Sequence, residues 1–136
     1  MGLFSAIGIA GTGVTVYRKW LDAVSDNIAN MNDAAPTGGQ AFQARYINAQ
    51  AVNYGSGEGG VQVAGAALGG SPQGRLVYEP ANPLADADGY VRYPDIDLSE
   101  QMGQMIIAQR GYQANLAVVD RARDAYQAAL QLGRNA

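Results

Sequence analysis

"LSEQMGQMIIAQRGYQANLAVVDRARDAYQAALQLG", residues 98–133, decides the fold, because it reads as one unbroken helix carrying about a quarter of the 136-residue chain. Asp97 stands as N-cap with Glu100 three residues on, a capping-box spacing, and Gly133 follows the last apolar residue, Leu132, as a stop. Apolar residues alternate steps of four and three over five heptads at Leu98, Met102, Met105, Tyr112, Leu116, Val119, Tyr126 and Leu130, with Gln109 and Arg123 as polar interruptions of the seam. Those two are costly in a dry two-helix core and tolerable where the seam is partly wet or a neighbour supplies a partner. Beside the seam Ala108, Ala122 and Ala129 repeat at heptad spacing, Asn115 interrupts their row, and Ile106 lies on the opposite flank. The buried stripe is therefore expected to be wider than a two-stranded seam, with more than one neighbour. Gly103 and Gly111 fall outside the seam and weaken the isolated helix by about 1 kcal/mol each, which packing must offset.

The only other sustained heptad lies at the N-terminus. From Leu3 to Met31, Ile7, Val14, Leu21 and Ile28 occupy one core position and Leu3, Ala10, Tyr17, Val24 and Met31 the other. Gly8, Gly11 and Gly13 compromise its first half, so the start of the chain is expected to stay disordered until a partner orders it. Between the heptads, residues 32–94 hold all five prolines and eleven of the eighteen glycines, which forbids a long helix. Short extended runs stand between these breakers at 41–47, 60–66, 75–80 and 89–94, separated by loop signals at 55–60 and 69–74 and a turn at "DADG", 86–89. The expected fold is mainly α with a small β insert. Helical segments 1–31 and 95–136 form an antiparallel coiled coil, and an irregular Gly/Pro-rich β region, 32–94, lies between them. Two helices about 43 and 52 Å long make a thin molecule, so the missing core is expected to come from other chains.

Composition removes most alternatives. With 48% apolar and 15% charged residues the chain is too apolar for wholesale disorder, and no apolar run approaches the roughly 20 residues of a membrane span, so direct membrane insertion is not expected. Nine basic residues are scattered through a chain of net charge −3, which leaves no footprint for nucleic acid. Cysteine and histidine are both absent, removing thiolate nucleophiles, imidazole bases and the usual zinc or haem ligands together. No remaining acid or base has an orienting partner at motif spacing, so neither catalytic residues nor a cofactor or metal is expected. "ADADGYVRYPD" has part of a calcium-loop spacing, with Asp86, Asp88, Gly89 and Asp95, but Leu84 falls where the first side-chain ligand belongs, and a plain turn is the expectation. In "MGLFSAIGIAGTGVTVYRKW" Arg18 and Lys19 follow the apolar stretch instead of preceding it, so no secretory signal is read and this end is expected to be retained.

Two blocks carry a family resemblance. "SDNIANMN", 25–32, is similar to the "NIAN" signature closing the first helix of bacterial flagellar rod, hook and filament-junction proteins, and Asn30 belongs to it. "RLVYEPANPLADADGYVRYPDIDLSEQMGQMIIAQRGYQANLAVVDRARDAYQAALQLG", 75–133, closely resembles the C-terminal half of proximal-rod proteins of the FlgC type. One departure is Asp33, where the wider axial family has Thr shortly after "NIAN". The resemblance implies a structural subunit of the flagellar basal-body proximal rod that polymerises by helix packing and transmits torque. It also implies export through the flagellar type III apparatus without a cleaved signal, and partners among its own copies and other rod proteins in the periplasmic or cell-wall zone. The reading from another class is a soluble coiled-coil adaptor that binds one partner helix.

Overall fold

A computed structural model describes residues 2–55 and 59–134; part of the loop expected at 55–60, residues 56–58, lies outside them. The chain runs α1 (Leu3–Asn30), β1 (Ala44–Asn53), β2 (Gly59–Gly69), β3 (Arg75–Tyr78), β4 (Tyr90–Tyr93) and α2 (Leu98–Arg134). This is a mainly helical chain with two small antiparallel sheets between its helices, β1 with β2 and β3 with β4.

α2 starts where the capping chemistry predicts. The Asp97 carboxylate accepts from the Glu100 N–H at 2.9 Å, and the Gln101 N–H donates to the Asp97 carbonyl at 3.1 Å. Only half of the capping box is used in this way, because the Glu100 carboxylate accepts from the Tyr46 hydroxyl at 3.2 Å. The stop at Gly133 is overturned: the helix continues through it to Arg134. Gly133 has no atom within 4 Å of the position a Cβ would take, so no tertiary contact there competes with helical geometry.

The expected disorder at the start of the chain is also corrected, since α1 is continuous through Gly8, Gly11 and Gly13. Gly13 is buried, Gly11 half-buried and Gly8 exposed. Ala10, Gly13 and Val16 are buried, with α2 on one side and the β1–β2 hairpin on the other, and that burial offsets the helix-propensity cost. On the hairpin side the Val61 N–H donates to Thr12 Oγ1 at 3.1 Å, while Thr12 itself donates to the Ile9 carbonyl.

The two helices lie antiparallel. Phe4 meets Tyr126, Gly13 meets Asn115, Tyr17 meets Gly111 and Asn27 meets Gln101, so α2 numbers fall as α1 numbers rise. Residues 127–134 of α2 extend past the start of α1 and are all exposed.

β1 and β2 pair from Ala44↔Gly69 to Asn53↔Gly59, with a bulge opposite Asn48/Ala49 that leaves Ala64 unpaired next to Gly65. β3 and β4 pair from Arg75↔Tyr93 to Tyr78↔Tyr90, turning Val77 and the fully buried Val91 inward and Leu76, Tyr78 and Tyr90 outward. Gly74, at φ +54°, leads into β3; a Cβ there would stand 2.0 Å from the Tyr93 carbonyl oxygen and 2.7 Å from the Ala41 Cβ. Arg92 ties the insert together. Its backbone exchanges hydrogen bonds with Ala35 at 2.7 and 2.8 Å, and its guanidinium donates to the carbonyls of Thr37, at 2.6 Å, and Gln73.

Candidate assembly surface and helix junction

The face that α2 turns to α1 is centred to one side of the expected seam. Gln101, Ala108 and Ala122 are buried and Gly111 and Asn115 half-buried, so the row of small residues that flanks the seam in sequence is the centre of contact. Met102, Leu116 and Leu130 are uncovered by 53%, 38% and 52% of their surface, together with Leu98 and Ile106. The contact face is thus rotated by most of one residue step, about 100°, from the heptad's own centre. Close approach is the reason. A Cβ at Gly111 would stand 2.3 Å from the Tyr17 ring, and one at Gly13 would stand 2.5 Å from Asn115 Oδ1. Backbones this near require small residues between them.

Rotation also accounts for the two polar interruptions. Gln109 and Arg123 face solvent, where Arg123 lies 3.7 Å from Asp120 and 3.5 Å from Asp124, and neither needs a buried partner. Of the other residues named from sequence, Val24 is buried, and Ile7, Val14, Tyr17, Leu21, Ile28, Met105, Tyr112 and Val119 are half-buried. Tyr126 is exposed on one side and meets Phe4 edge-to-face at 5.5 Å between centroids. Tyr17 stacks on Trp20 at 5.8 Å. Asn30 donates to the Asp26 carbonyl one turn back at 2.8 Å, closing the end of α1.

The residue that sequence reasoning passed over is Asn27, the first Asn of "NIAN". It has no exposed surface, and Gln101 opposite has 1%. Asn27 Nδ2 donates to Gln101 Oε1 at 2.8 Å and to the Arg45 carbonyl at 3.0 Å, and Asn27 Oδ1 accepts from the Arg45 N–H at 2.8 Å. One amide therefore joins α1, α2 and the start of β1. Gln101 Nε2 in turn donates to the Tyr46 hydroxyl at 3.4 Å. Burial raises the Tyr46 pKa above the ordinary phenol range, and the neighbouring Glu100 charge raises it further. A polar residue on the apolar face of a helix is the signal that marks Asn27 in the sequence, and a heptad count treats it as noise.

At the turn before β4, Asp86 Oδ1 accepts from the N–H groups of Asp88, at 3.0 Å, and Tyr90, at 2.9 Å. Chiefly through the Tyr90 bond, these contacts hold its carboxyl below the usual aspartate range. The "DADG" segment is thus a side-chain-closed turn. Among the described residues no three His, Cys, Asp or Glu gather as a metal cluster, and no helix is long and apolar enough to cross a membrane.

Comparison with known proteins identifies the architecture. Residues 87–132 match the family described as flagellar basal body rod FlgEFG protein C-terminal, which covers the end of the insert and nearly all of α2. Flagellar basal-body rod protein FlgC of Salmonella typhimurium is 36% identical over 135 residues, covering 98% of this chain and 100% of that one. The Escherichia coli O6:H1 protein of the same name is 37% identical over 136 residues with the same coverage, and that of Borreliella burgdorferi is 37% identical over 150 residues, covering 97% and 98%. With each alignment spanning nearly the whole of both chains, the chain belongs to the FlgC family of flagellar basal-body rod proteins.

Proposed function

We propose that this chain, a structural subunit of the flagellar basal-body rod and not an enzyme, polymerises with its own copies and other rod proteins by burying the uncovered stripe of α2. Torque then passes through the buried helix contacts. The observation that carries this reading is the exposed row Leu98, Met102, Ile106, Leu116 and Leu130, left open because α1 occupies the small-residue face. Each such side chain is already about half covered, so a neighbour that buries the rest adds roughly 1 kcal/mol. Contacts between unlike patches repeat into helical assemblies and do not close into dimers, which suits a rod. In this reading α1 and α2 act as an antiparallel coiled coil, with segments 1–31 and 95–136 as one helical unit and 32–94 as an insert. Ile7, Val14, Tyr17, Leu21, Val24, Ile28 and Asn30 hold the pair, with Met105, Tyr112, Val119 and Tyr126 opposite. The chain reaches the periplasmic or cell-wall zone through the flagellar type III export apparatus without a cleaved signal, and contacts neither nucleic acid nor the membrane interior.

Leu116→Asp tests the packing. Leu116 lies beside the buried row of α2 and keeps 38% of its surface uncovered, so the subunit should fold and be exported while a charge sits in the stripe. Rod incorporation and swimming should both be lost. Normal swimming with normal incorporation would overturn the reading.

A further inference from the structure

We infer that the cross-helix pairs Phe4/Tyr126, Gly13/Asn115, Tyr17/Gly111 and Asn27/Gln101 form a register key, selecting one of several heptad-related alignments of α1 on α2. A heptad repeat is degenerate by itself. Sliding one helix by seven residues, about 10 Å at 1.5 Å per residue, returns the apolar positions of both helices to the same faces. The three inner pairs remove that degeneracy because each needs its own partner, and the exposed Phe4/Tyr126 contact follows from the same alignment.

Gly111 leaves the space that the Tyr17 ring fills. Sliding α2 by one heptad brings Gln104 or Val118 to that place, each with a side chain where the ring now lies. Gly13 leaves the space that the Asn115 amide fills. The heptad neighbours of Gly13 are Ala6 and Trp20, so a slide in either direction sets a Cβ, or a whole indole, against that amide. Asn27 and Gln101 are buried and bonded to each other at 2.8 Å. Sliding one way presents Asn27 with Ala108, which has no polar group to offer; sliding the other way presents Pro94, beyond the start of α2. Buried polar groups of this kind serve best as register devices, since the wrong alignment leaves them unpaired. Phe4 on Tyr126 caps the far end of the series.

Register has consequences beyond the pair. It fixes how far residues 127–134 overhang α1 and where Tyr46 of the β1–β2 hairpin, itself held to α1 through Thr12 and Asn27, meets Glu100 and Gln101 of α2. A slipped molecule carries these features about 10 Å out of place. The key concerns the chain's own two helices and stands whether or not the packing proposed for the rod holds.

The chain has no cysteine, so paired cysteines at the exposed positions Arg18 and Gln127 take nitroxide labels selectively. These positions are widely offset along the helix axis, so their separation, read by pulsed dipolar EPR on the full-length chain, reports slippage directly. With the key intact a single distance is expected. In the variant carrying Tyr17→Ala, Asn27→Leu, Gln101→Leu and Asn115→Ala, a second population displaced by about 10 Å is expected. A folded variant with one unshifted distance overturns the proposal. A second pair of variants covers the case in which the first does not fold. Gly111→Tyr alone should lose the parent distance, and Tyr17→Gly combined with Gly111→Tyr should restore it; a combination no closer to the parent than Gly111→Tyr alone overturns the proposal as well.

Discussion

Asn27 donates to Gln101 across the helix pair at 2.8 Å while its other two hydrogen bonds hold the Arg45 backbone, so one side chain fastens three elements at once. Removing it leaves the buried Gln101 carbonyl and the part-buried Arg45 amide without their partner. Asn27→Ala should therefore cost about 1–3 kcal/mol of stability, read as a lowered urea midpoint by circular dichroism. Asn30→Ala, at the last position of the same signature, should cost less than half as much, because the Asn30 bond to the Asp26 carbonyl is exposed.

Two glycines of α2 should respond to the same substitution with opposite signs. Gly103 has no atom within 4 Å of where a Cβ would go, so Gly103→Ala gains helix propensity alone, about 1 kcal/mol. Gly111→Ala gains the same propensity but drives its methyl into the Tyr17 ring, which is already stacked on Trp20. Overpacking of this kind costs about 1–3 kcal/mol. The Gly111→Ala chain should unfold at lower urea than the Gly103→Ala chain, by at least about 1 kcal/mol.

Much of the architecture was legible in the sequence because the signals behind it are local. The Asp97 cap, the proline and glycine density of 32–94, and the short β-branched and aromatic runs each act over a few residues, and each of the four strands overlaps one of the four extended runs, although β1 shares only residues 44–47 with its run and continues to Asn53. The centre of the helix contact was not legible. A heptad count weights large apolar residues, and so picked Met102, Leu116 and Leu130 as the side facing α1. Whether a helix meets its neighbour through its largest or its smallest residues depends on how near the partner's backbone comes, and that distance is set by the partner's own glycines, here Gly13 against Asn115. The same weighting hid Asn27 and Gln101, which are polar and yet the most deeply enclosed pair in the contact. Continuity of α1 through Gly8 and Gly11 was hidden for a related reason: the β1–β2 hairpin that braces it lies some 40 to 60 residues away in the chain.

Asp86 makes stability depend on acid pH. Its carboxylate accepts from two backbone amides, and its folded pKa lies below the unfolded value near 4. A depressed carboxyl stabilises the fold fully above the unfolded pKa and loses that contribution as pH falls through the folded one. Urea midpoints taken from about pH 5 down to pH 2 should therefore decline more steeply in the parent chain than in Asp86→Asn, whose amide oxygen can accept the same N–H groups without titrating in that window. Equal slopes would mean that the turn draws nothing from the charge.

Arg92 should prove irreplaceable by lysine. Its guanidinium reaches two carbonyls on separate loops, Thr37 and Gln73, while its backbone pairs with Ala35, so the segment after α1 and the turn before β3 are both fastened to β4. Its Nε is buried without a hydrogen-bond partner, a cost that the fold carries in order to keep the planar fork between the two loops. A lysine ammonium is a single point of donation on a flexible stem, and reaching one carbonyl takes it from the other. Arg92→Lys should lose about 1.5 kcal/mol, the lower end of the range for a hydrogen bond to a charged group, since the Gln73 carbonyl is exposed and the Thr37 carbonyl part-buried. The loss should be local. Gly38–Gly39, exposed beside the Thr37 anchor, should become the first site of limited proteolysis, while the helix content measured by circular dichroism stays at the parent value. Unchanged cleavage at those glycines, with stability intact, would show that the Ala35 backbone pairing alone is enough to hold the loop.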